Sequence, residues 1–375
     1  MRHLYLHVPF CPTICPYCDF HVLRRTKGAV AIYLEGLEKE AARLFELHPE
    51  SLDTIYVGGG TPSFLRDAEL ESLFAALPWA VDEGAEVTLE VNPGTVNHRR
   101  LEFIKGLGVN RLSIGVQSFS DETLHFLGRT HDAASARKTV AEALELGFSV
   151  SLDLMLALPG QNVRADLETA AVLGVDHVSA YTLQIEPGTP LALQKLATEP
   201  DDEAAAFALA REILGAAGLR RYEVSNYARP GAESRHNLAY WRMNSWGGLG
   251  PAAAGHFLTG EEKVVSRRTT NPPLPRWLAG EPPERVALGP LDFAKEALMM
   301  GLRIREGVDL RQLEERTGLE LRRTLASAAD ELAGANLLGL AGDRLSPTDA
   351  GLDRLHEVIL RLWETLEAVY SADFS

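Results

Sequence analysis

Hydrophobic residues recur along the first half of the chain in two alternating rhythms. Short runs dense in Val, Ile, Leu and Tyr occur at 3–8 (HLYLHV), 54–59 (TIYVGG), 86–91 (EVTLEV), 111–116 (RLSIGV), 149–156 (SVSLDLML) and 177–183 (HVSAYTL). Between them lie longer stretches, at 31–47, 68–80, 98–108, 133–147 and 163–174, whose apolar residues return every three to four positions. The first rhythm is that of strands, the second that of amphipathic helices. Strand, helix, strand, repeated, predicts right-handed parallel βαβ units. Gly108, Gly147 and Gly174 close helical stretches where a left-handed residue costs glycine little. Six such strands predict a partial (βα)6 TIM-type barrel. A doubly wound open sheet is the structural competitor.

In a parallel barrel, reactive groups gather at the C-terminal mouth. The first strand runs into Pro9-Phe10-Cys11, the second into Gly58-Gly59-Gly60-Thr61-Pro62, and the third carries Glu90 and then Asn92-Pro93. The fourth runs into Gln117-Ser118-Phe119, and Asp153 sits inside the fifth. Each alone reads as a turn; together they predict a ligand-binding mouth.

Beyond about 185 the pattern changes. Residues 185–196 read as a loop, and 201–219 as a helix with acidic residues in its first turn. Residues 221–257 are rich in aromatic, Gly and Asn residues, and 271–284 form a Pro-rich linker. Helical periodicity dominates the remainder, which ends in a turn at 344–351 and one more helix. The predicted domains are a barrel over 1–225, an aromatic- and Gly-rich extension and linker over 226–285, and a small α-rich, winged-helix-like C-terminal domain over 286–375.

With 375 residues, 46% of them hydrophobic, the chain can build a sizeable core without disulfides. It shows no signal-peptide h-region and no apolar run of membrane length, which predicts a soluble protein of a reducing cytoplasm. The net charge of -15 argues against a nucleic-acid partner, since phosphate binding wants Lys and Arg in excess.

The chain holds three cysteines, all within residues 10–20: Cys11, Cys15 and Cys18, spaced C-x3-C-x2-C. A disulfide would leave one thiol over and contradict the compartment. Zinc needs a fourth ligand, which His7 or His21 could offer, but zinc sites usually space their ligands as two separated pairs. An iron–sulfur cluster fits best. A [4Fe–4S] cube is usually held by four thiolates, so three leave one iron open to an exchangeable ligand.

This spacing, with aromatic Tyr17 before the third cysteine, resembles the radical S-adenosylmethionine (SAM) superfamily. The resemblance implies a partial (βα)6 barrel whose open iron binds the amino and carboxylate groups of SAM. Electron transfer from the cluster then cleaves SAM to a 5′-deoxyadenosyl radical. It implies that Gly59, Gly60 and Thr61 meet the methionine amino group, with Tyr5, Tyr17, Glu90, Gln117, Arg129 and Asp153 also in the SAM site. Glu90 suits a ribose hydroxyl or an ammonium, and Arg129 can fork to a carboxylate. The plain alternative for Arg129 is a surface ion pair.

YLHVPFC, YVGGGTPSFL, EVNPGT, RLSIGVQSF, LGRTH, DLMLALPGQ, YTLQIEPGTPL and YEVSNYARPG follow in order. They resemble the group of oxygen-independent coproporphyrinogen dehydrogenases and heme chaperones (HemN and HemW). The likeness covers 1 to about 257, with a looser match at GLRIREGVDL. The dehydrogenase type usually carries a fourth cysteine where this chain has Phe20. HNLAYW (236–241) matches the H-N-x-x-Y-W motif of the chaperone type, which is associated with heme. The resemblance thus implies a heme site at His236, Asn237, Tyr240 and Trp241, with the His236 imidazole as an axial ligand. A satisfied core histidine is the structural alternative. His256, in AAAGHF, is a second candidate ligand, in a segment where Pro251 and extra Ala replace the usual glycines.

The implied function is a heme chaperone that uses heme, a [4Fe–4S] cluster and SAM. It would pass heme to an acceptor protein, a membrane-associated one being compatible, and draw on an electron donor for the cluster. A homodimer is compatible too. The alternative is radical decarboxylation of coproporphyrinogen III to protoporphyrinogen IX, for which Arg24, Arg25 and Lys27 offer cations beside the cluster loop. A nucleic-acid-modifying enzyme is disfavoured by charge and by the lack of an RNA-binding appendage.

Overall fold

The computed structural model describes residues 1–194, 200–261 and 263–370. Six strands, β1 (His3–Val8), β2 (Leu52–Gly59), β3 (Val81–Val91), β4 (Arg111–Gln117), β5 (Ser149–Leu156) and β6 (His177–Thr182), pair in chain order, all parallel. The connections carry α1 (Ala29–Leu47), α2 (Asp67–Ala75), α3 (His98–Gly106), α4 (Asp121–Phe126), α5 (Ala133–Glu145) and α6 (Val163–Val172); α7 (Pro200–Ala216) follows β6. This is the partial barrel the periodicity predicts. Within these connections the short α4 is the one unexpected helix: six residues are too few for a rhythm, and Ser120 caps it by accepting from Thr123 N–H. The expected loop 185–196 is described to residue 194, where 190–194 form a 3-10 turn; its last two residues lie outside the described residues.

The sheet does not close. Beyond β6 it continues through the antiparallel β8 (Asn226–Ala228) and β7 (Arg220–Arg221). Beyond β1 come the parallel β9 (Trp246–Leu249) and then the antiparallel β10 (Ala254–Glu261), β11 (Val264–Thr270) and β12 (Glu284–Leu288). Between β8 and β9 the chain passes from one edge of the barrel to the other, carrying α8 (Arg235–Trp241) with it. The Pro-rich stretch 271–284 is packed rather than a free linker. It contains α9 (Leu274–Leu278), whose buried Trp277 lies 5.8 Å from the Tyr33 ring and donates to Glu40 at 3.1 Å.

Side chains alternate along each barrel strand. One set, including Leu4, Leu6, Val8, Val57, Leu89, Leu112, Ile114, Val150, Leu152 and Val178, is buried against the helices. The other set faces the lumen and is polar. Register stacks it in layers: His3, Thr54 and Glu86 at the base; Tyr5, Tyr56, Thr88 and Arg111 above; then His7, Glu90, Ser113, Ser151 and His177. A TIM-type barrel usually fills this space with branched apolar residues. A polar lumen is sustained only by hydrogen bonding within it or with a ligand.

The C-terminal part runs α10 (Pro290–Gly301), β13 (Val308–Asp309), α11 (Leu310–Thr317), α12 (Leu321–Gly334), β14 (Leu338–Ala341) and β15 (Arg344–Pro347), the order of a winged helix. The helices α13 (Asp349–Asp353) and α14 (Leu355–Tyr370) follow. It has its own core around Phe293, Leu298, Leu321, Leu325 and Leu362. Asp353 joins it to the barrel side through Arg211 and Arg221, and Arg305 donates to the Arg221 carbonyl. Among the described residues no helix is long and apolar enough to cross a membrane.

Candidate functional site

The cysteines sit on the loop leaving β1 at the C-terminal mouth. Leu23 N–H donates to Pro9 O at 2.7 Å, and Phe10 and Cys11 pair in parallel with Leu23 and Arg24, so the loop closes on itself. Tyr5 donates to His7 Nδ1 at 2.9 Å, and His7 Nε2–H donates to His21 O at 2.9 Å. His21 Nε2 accepts from Leu274 N–H at 3.2 Å. The two histidines that could have completed a zinc site are thus committed to holding the loop. Among the described residues no three His, Cys, Asp or Glu side chains converge as a single metal ion requires.

Two donors point at the sulfurs. Thr61 Oγ1 lies 3.5 Å from Cys11 Sγ, and Arg129 Nη1 lies 3.6 Å from Cys15 Sγ. Burial pushes the Cys11 and Cys18 thiols up, and the neighbouring thiolates push the same way. Stable thiolates at this loop therefore need positive charge supplied to them. Three thiols, a cation and a hydroxyl donor form a set that fits an anionic iron–sulfur cluster.

Arg129 and Thr61 belong to one clasp. Arg129 Nη2 donates to Asn92 Oδ1 at 2.5 Å and to Gly115 O at 2.8 Å, and Asn92 Nδ2 donates to Thr61 Oγ1 at 3.0 Å. The chain Arg129–Asn92–Thr61 thereby ties Cys15 to Cys11 across the mouth. A Cβ on Gly115 would lie 3.0 Å from Asn92 Oδ1 and 3.3 Å from Arg129 Nη2. Arg129 makes no ion pair among the described residues, and its Nε, buried, has no partner. The surface-ion-pair alternative is not what the structure shows; one donor is held in reserve beside the thiols. Sequence reading placed Asn92 at the mouth without giving it a role, and did not single out Gly115. The signal was the alternation itself, since Asn92 continues the inward positions of β3 and Gly115 lies on β4.

Below the clasp, Glu90 accepts from Tyr56 O–H and from Gly59 N–H, both at 2.9 Å. Burial, and next the charge of Asp153, push its carboxyl up to about 7. Burial also pushes Asp153 up, while Ser113 Oγ donates to it at 3.1 Å. The glycine run fits because nothing else would. At Gly59 φ is 108° and a Cβ would lie 2.5 Å from the His7 ring; at Gly60 it would lie 2.9 Å from the Val8 and Phe10 carbonyls. Gln117 holds a left-handed φ of 69° and accepts from Tyr181 O–H at 2.6 Å. Such strain at a strand end is characteristic of functional sites. Tyr17 packs with Leu127, Met155, Leu158, Tyr181 and Leu191 in an apolar patch beside the loop. Tyr17, Gly59, Gly60, Thr61, Glu90, Gln117, Arg129 and Asp153 thus lie in or around the upper lumen, whereas Tyr5 sits a layer lower, beside Tyr56.

His236 is at the other end. The plug helix α8 is anchored under the barrel by Glu86 of β3, whose carboxylate accepts from Arg235 N–H at 2.9 Å and His236 N–H at 3.0 Å. An anion at a helix N-terminus is favourable, and Ser234 caps the same end by accepting from Asn237 N–H. His236 is buried, with Nδ1 2.7 Å from Thr54 Oγ1 and Nε2 2.7 Å from Tyr240 O–H, and its ring stacks on Tyr56 at 5.3 Å. Burial pushes the imidazole down to about 3. The expected axial ligand thus has both ring nitrogens hydrogen-bonded, Nδ1 with Thr54 and Nε2 with Tyr240. Trp241 faces away, under the Arg303 guanidinium at 5.3 Å.

The Radical SAM superfamily profile matches residues 5–173, and the HemN C-terminal domain profile matches 288–354. The Lactococcus lactis heme chaperone HemW is 33% identical over 365 residues, 93% of this chain and 94% of that one. The chain belongs to the HemW family. The Escherichia coli HemW is 40% identical over 288 residues, covering 73% of this chain and 74% of that one. The mouse mitochondrial radical S-adenosyl methionine domain-containing protein 1 is 36% identical over 98% of this chain and 88% of its own. Among solved structures, Escherichia coli coproporphyrinogen III oxidase HemN superposes with a TM-score of 0.82 over 96% of this chain and 90% of that one, at 22% identity. That likeness shows a shared fold.

As a radical SAM protein, a HemW-family chain is expected to carry a [4Fe–4S] cluster and SAM, and the mouth suits both. Phe20, beyond the third thiol, is 64% exposed. His256 of this HemW-family chain lies outside the lumen, on β10, fully buried beneath α10 and stacked near Phe293.

Proposed function

We propose that this chain is a heme chaperone. It carries a [4Fe–4S] cluster on Cys11, Cys15 and Cys18, leaves one iron to SAM, binds heme, and hands it to an acceptor protein in the cytoplasm. The likeness to HemW relatives over nearly the whole length supports the heme half. The observation that carries the cluster half is the clasp, in which Arg129 and Thr61 aim donors at two of three thiols and a phenylalanine stands beyond the third.

When bound, the cluster supplies an electron to SAM. The chain's own residues orient and enclose. Arg129, with its spare Nε, meets the carboxylate of the methionine moiety. Gly59 and Gly60 have their N–H groups bonded to Glu90 and Val8 O, so this segment offers carbonyl oxygens to the ammonium. Glu90 accepts from ribose hydroxyls or the ammonium once ionised. The patch of Tyr17, Leu127, Tyr181 and Leu191 keeps water from that side of the mouth.

The test is transfer. The protein, loaded with one equivalent of hemin and with its cluster reconstituted anaerobically, is mixed with an apo-cytochrome, and the Soret band is followed. Movement of heme to the acceptor faster than from free hemin supports the proposal. Heme that stays bound, or never binds, contradicts it.

A further inference from the structure

Aromatic rings form an unbroken file from the lumen to the foot of the barrel. Tyr5 and Tyr56, neighbours in register on β1 and β2, lie 6.1 Å apart, ring centre to ring centre. Tyr56 stacks on His236 at 5.3 Å, His236 meets Tyr240 at 4.8 Å, and Tyr240 meets Trp246 at 4.6 Å. Trp246 opens β9 beside the plug and is partly exposed. The file thus runs through HNLAYW, which the cluster and SAM residues leave without a role.

Tyrosine and tryptophan are the aromatic side chains that give up one electron most readily. A phenol does so when its proton has an acceptor within hydrogen-bond reach. Each phenol of the file has one. Tyr5 O–H donates to His7 Nδ1 at 2.9 Å, since His7 Nε2–H is on the His21 carbonyl. Tyr56 O–H donates to Glu90 at 2.9 Å. Tyr240 O–H lies 2.7 Å from His236 Nε2, and no other described group accepts from it. With His236 Nδ1–H on Thr54 Oγ1 at 2.7 Å, Thr54 O–H turns to His3 Nδ1 at 3.0 Å, and Nε2 keeps its lone pair. Burial holds both His7 and His236 neutral, and His236 is pushed down to about 3. An oxidised phenol is acidic enough to protonate even that nitrogen. Packing alone does not ask for such partners. Tyr33, fully buried in the same core, donates to the His7 carbonyl, which takes no proton.

We infer that this file is a relay that drains an oxidising equivalent from the lumen to Trp246 at the foot of the barrel. The inference rests on the SAM reading above for its oxidant, a carbon-centred radical in the lumen. The radical takes a hydrogen atom from Tyr56: a C–H bond forms and the phenol O–H bond breaks. The Tyr56 radical is refilled by an electron from Tyr240 and a proton from Glu90, whose carboxyl stands near 7 and regains its proton from the mouth. As Tyr240 gives its electron, its proton passes to His236 Nε2. Trp246 then gives an electron to Tyr240, the proton returns from His236, and the Trp246 Nε1 proton leaves to solvent. A soluble thiol restores Trp246 with one hydrogen atom. The sum converts a carbon radical and a thiol into a C–H bond and a thiyl radical. Tyr5, with its own acceptor, is a second entry to the file.

The relay is tested without SAM. Full-length protein with Cys11→Ser and Cys15→Ser carries a ruthenium photo-oxidant on Cys18, so the hole starts at the mouth. After a flash and quench, transient absorption shows a tryptophan radical. Trp246→Phe removes it, and Tyr240→Phe, which keeps the ring, delays it at least tenfold. Tyr33→Phe changes nothing. A missing tryptophan signal, one that survives Trp246→Phe, or one that keeps its rate in Tyr240→Phe overturns the relay. The oxidant is tested apart. Cluster-loaded protein is given SAM, a reductant and a thiol, and mass spectrometry counts covalent damage at Tyr5 and Tyr56 per 5′-deoxyadenosine formed. Tyr240→Phe raises that ratio at least fivefold, and an equal ratio overturns the relay. Absence of 5′-deoxyadenosine overturns the SAM reading and leaves the flash result to decide the relay.

Discussion

Arg129 reaches three acceptors at once, the Cys15 sulfur, Asn92 and the Gly115 carbonyl, and only a planar fork does that. Arg129→Lys keeps the charge and loses the fork. It is expected to weaken SAM binding by about tenfold to a hundredfold, roughly the 1.5–3 kcal/mol of a charged hydrogen bond, while leaving the three-cysteine cluster spectrum in place; isothermal titration and absorption read the two separately. Glu90 gives a pH signature. Its carboxyl stands near 7 in the native protein against an ordinary 4.5, so between those values the folded state keeps a proton that the unfolded chain has released. Its contribution to stability is therefore largest at low pH and falls as pH rises through 7. SAM binding to the ionised carboxylate runs the other way. Affinity should rise between pH 6 and 8 with uptake of SAM releasing a proton, by up to about tenfold per unit below 7, and Glu90→Gln should flatten the profile.

At the scale of elements, two polar anchors hold the sheet extension and the barrel together. Glu40 of α1 accepts from Gly250 N–H at 2.8 Å, Asn271 Nδ2 at 2.6 Å and Trp277 Nε1 at 3.1 Å. Glu40→Gln turns one acceptor oxygen into a donor facing a donor, and is expected to cost about 1–3 kcal/mol in chemical denaturation. His236→Ala removes both hydrogen bonds of the imidazole, and a loss of about 2–4 kcal/mol is expected by the same measurement. These anchors show where sequence legibility ended. Strands and helices followed from local rhythm, and the cluster loop from three letters at fixed spacing. HNLAYW carries ligand-type residues, and only the fold shows that Thr54 and Tyr240 hydrogen-bond both nitrogens of His236. The Pro-rich stretch looked like a linker because Trp277 finds its partners, Tyr33 and Glu40, far back in the chain. The polar lumen was present in the alternation of each strand, but alternation does not say which face a curved sheet encloses.

At the scale of the molecule, the barrel separates its tasks by position. The residues proposed for the cluster and SAM gather toward the C-terminal mouth, and α8 seals the base. HemN shares the fold over 96% of this chain, so architecture does not distinguish porphyrin chemistry from heme carriage. What distinguishes them is what one preparation does with two ligands. With its cluster reconstituted anaerobically and given SAM and a reductant, the protein is offered hemin and coproporphyrinogen III in parallel. The account predicts about one heme bound per chain and no protoporphyrinogen IX. Turnover to protoporphyrinogen IX without stoichiometric heme binding would contradict it.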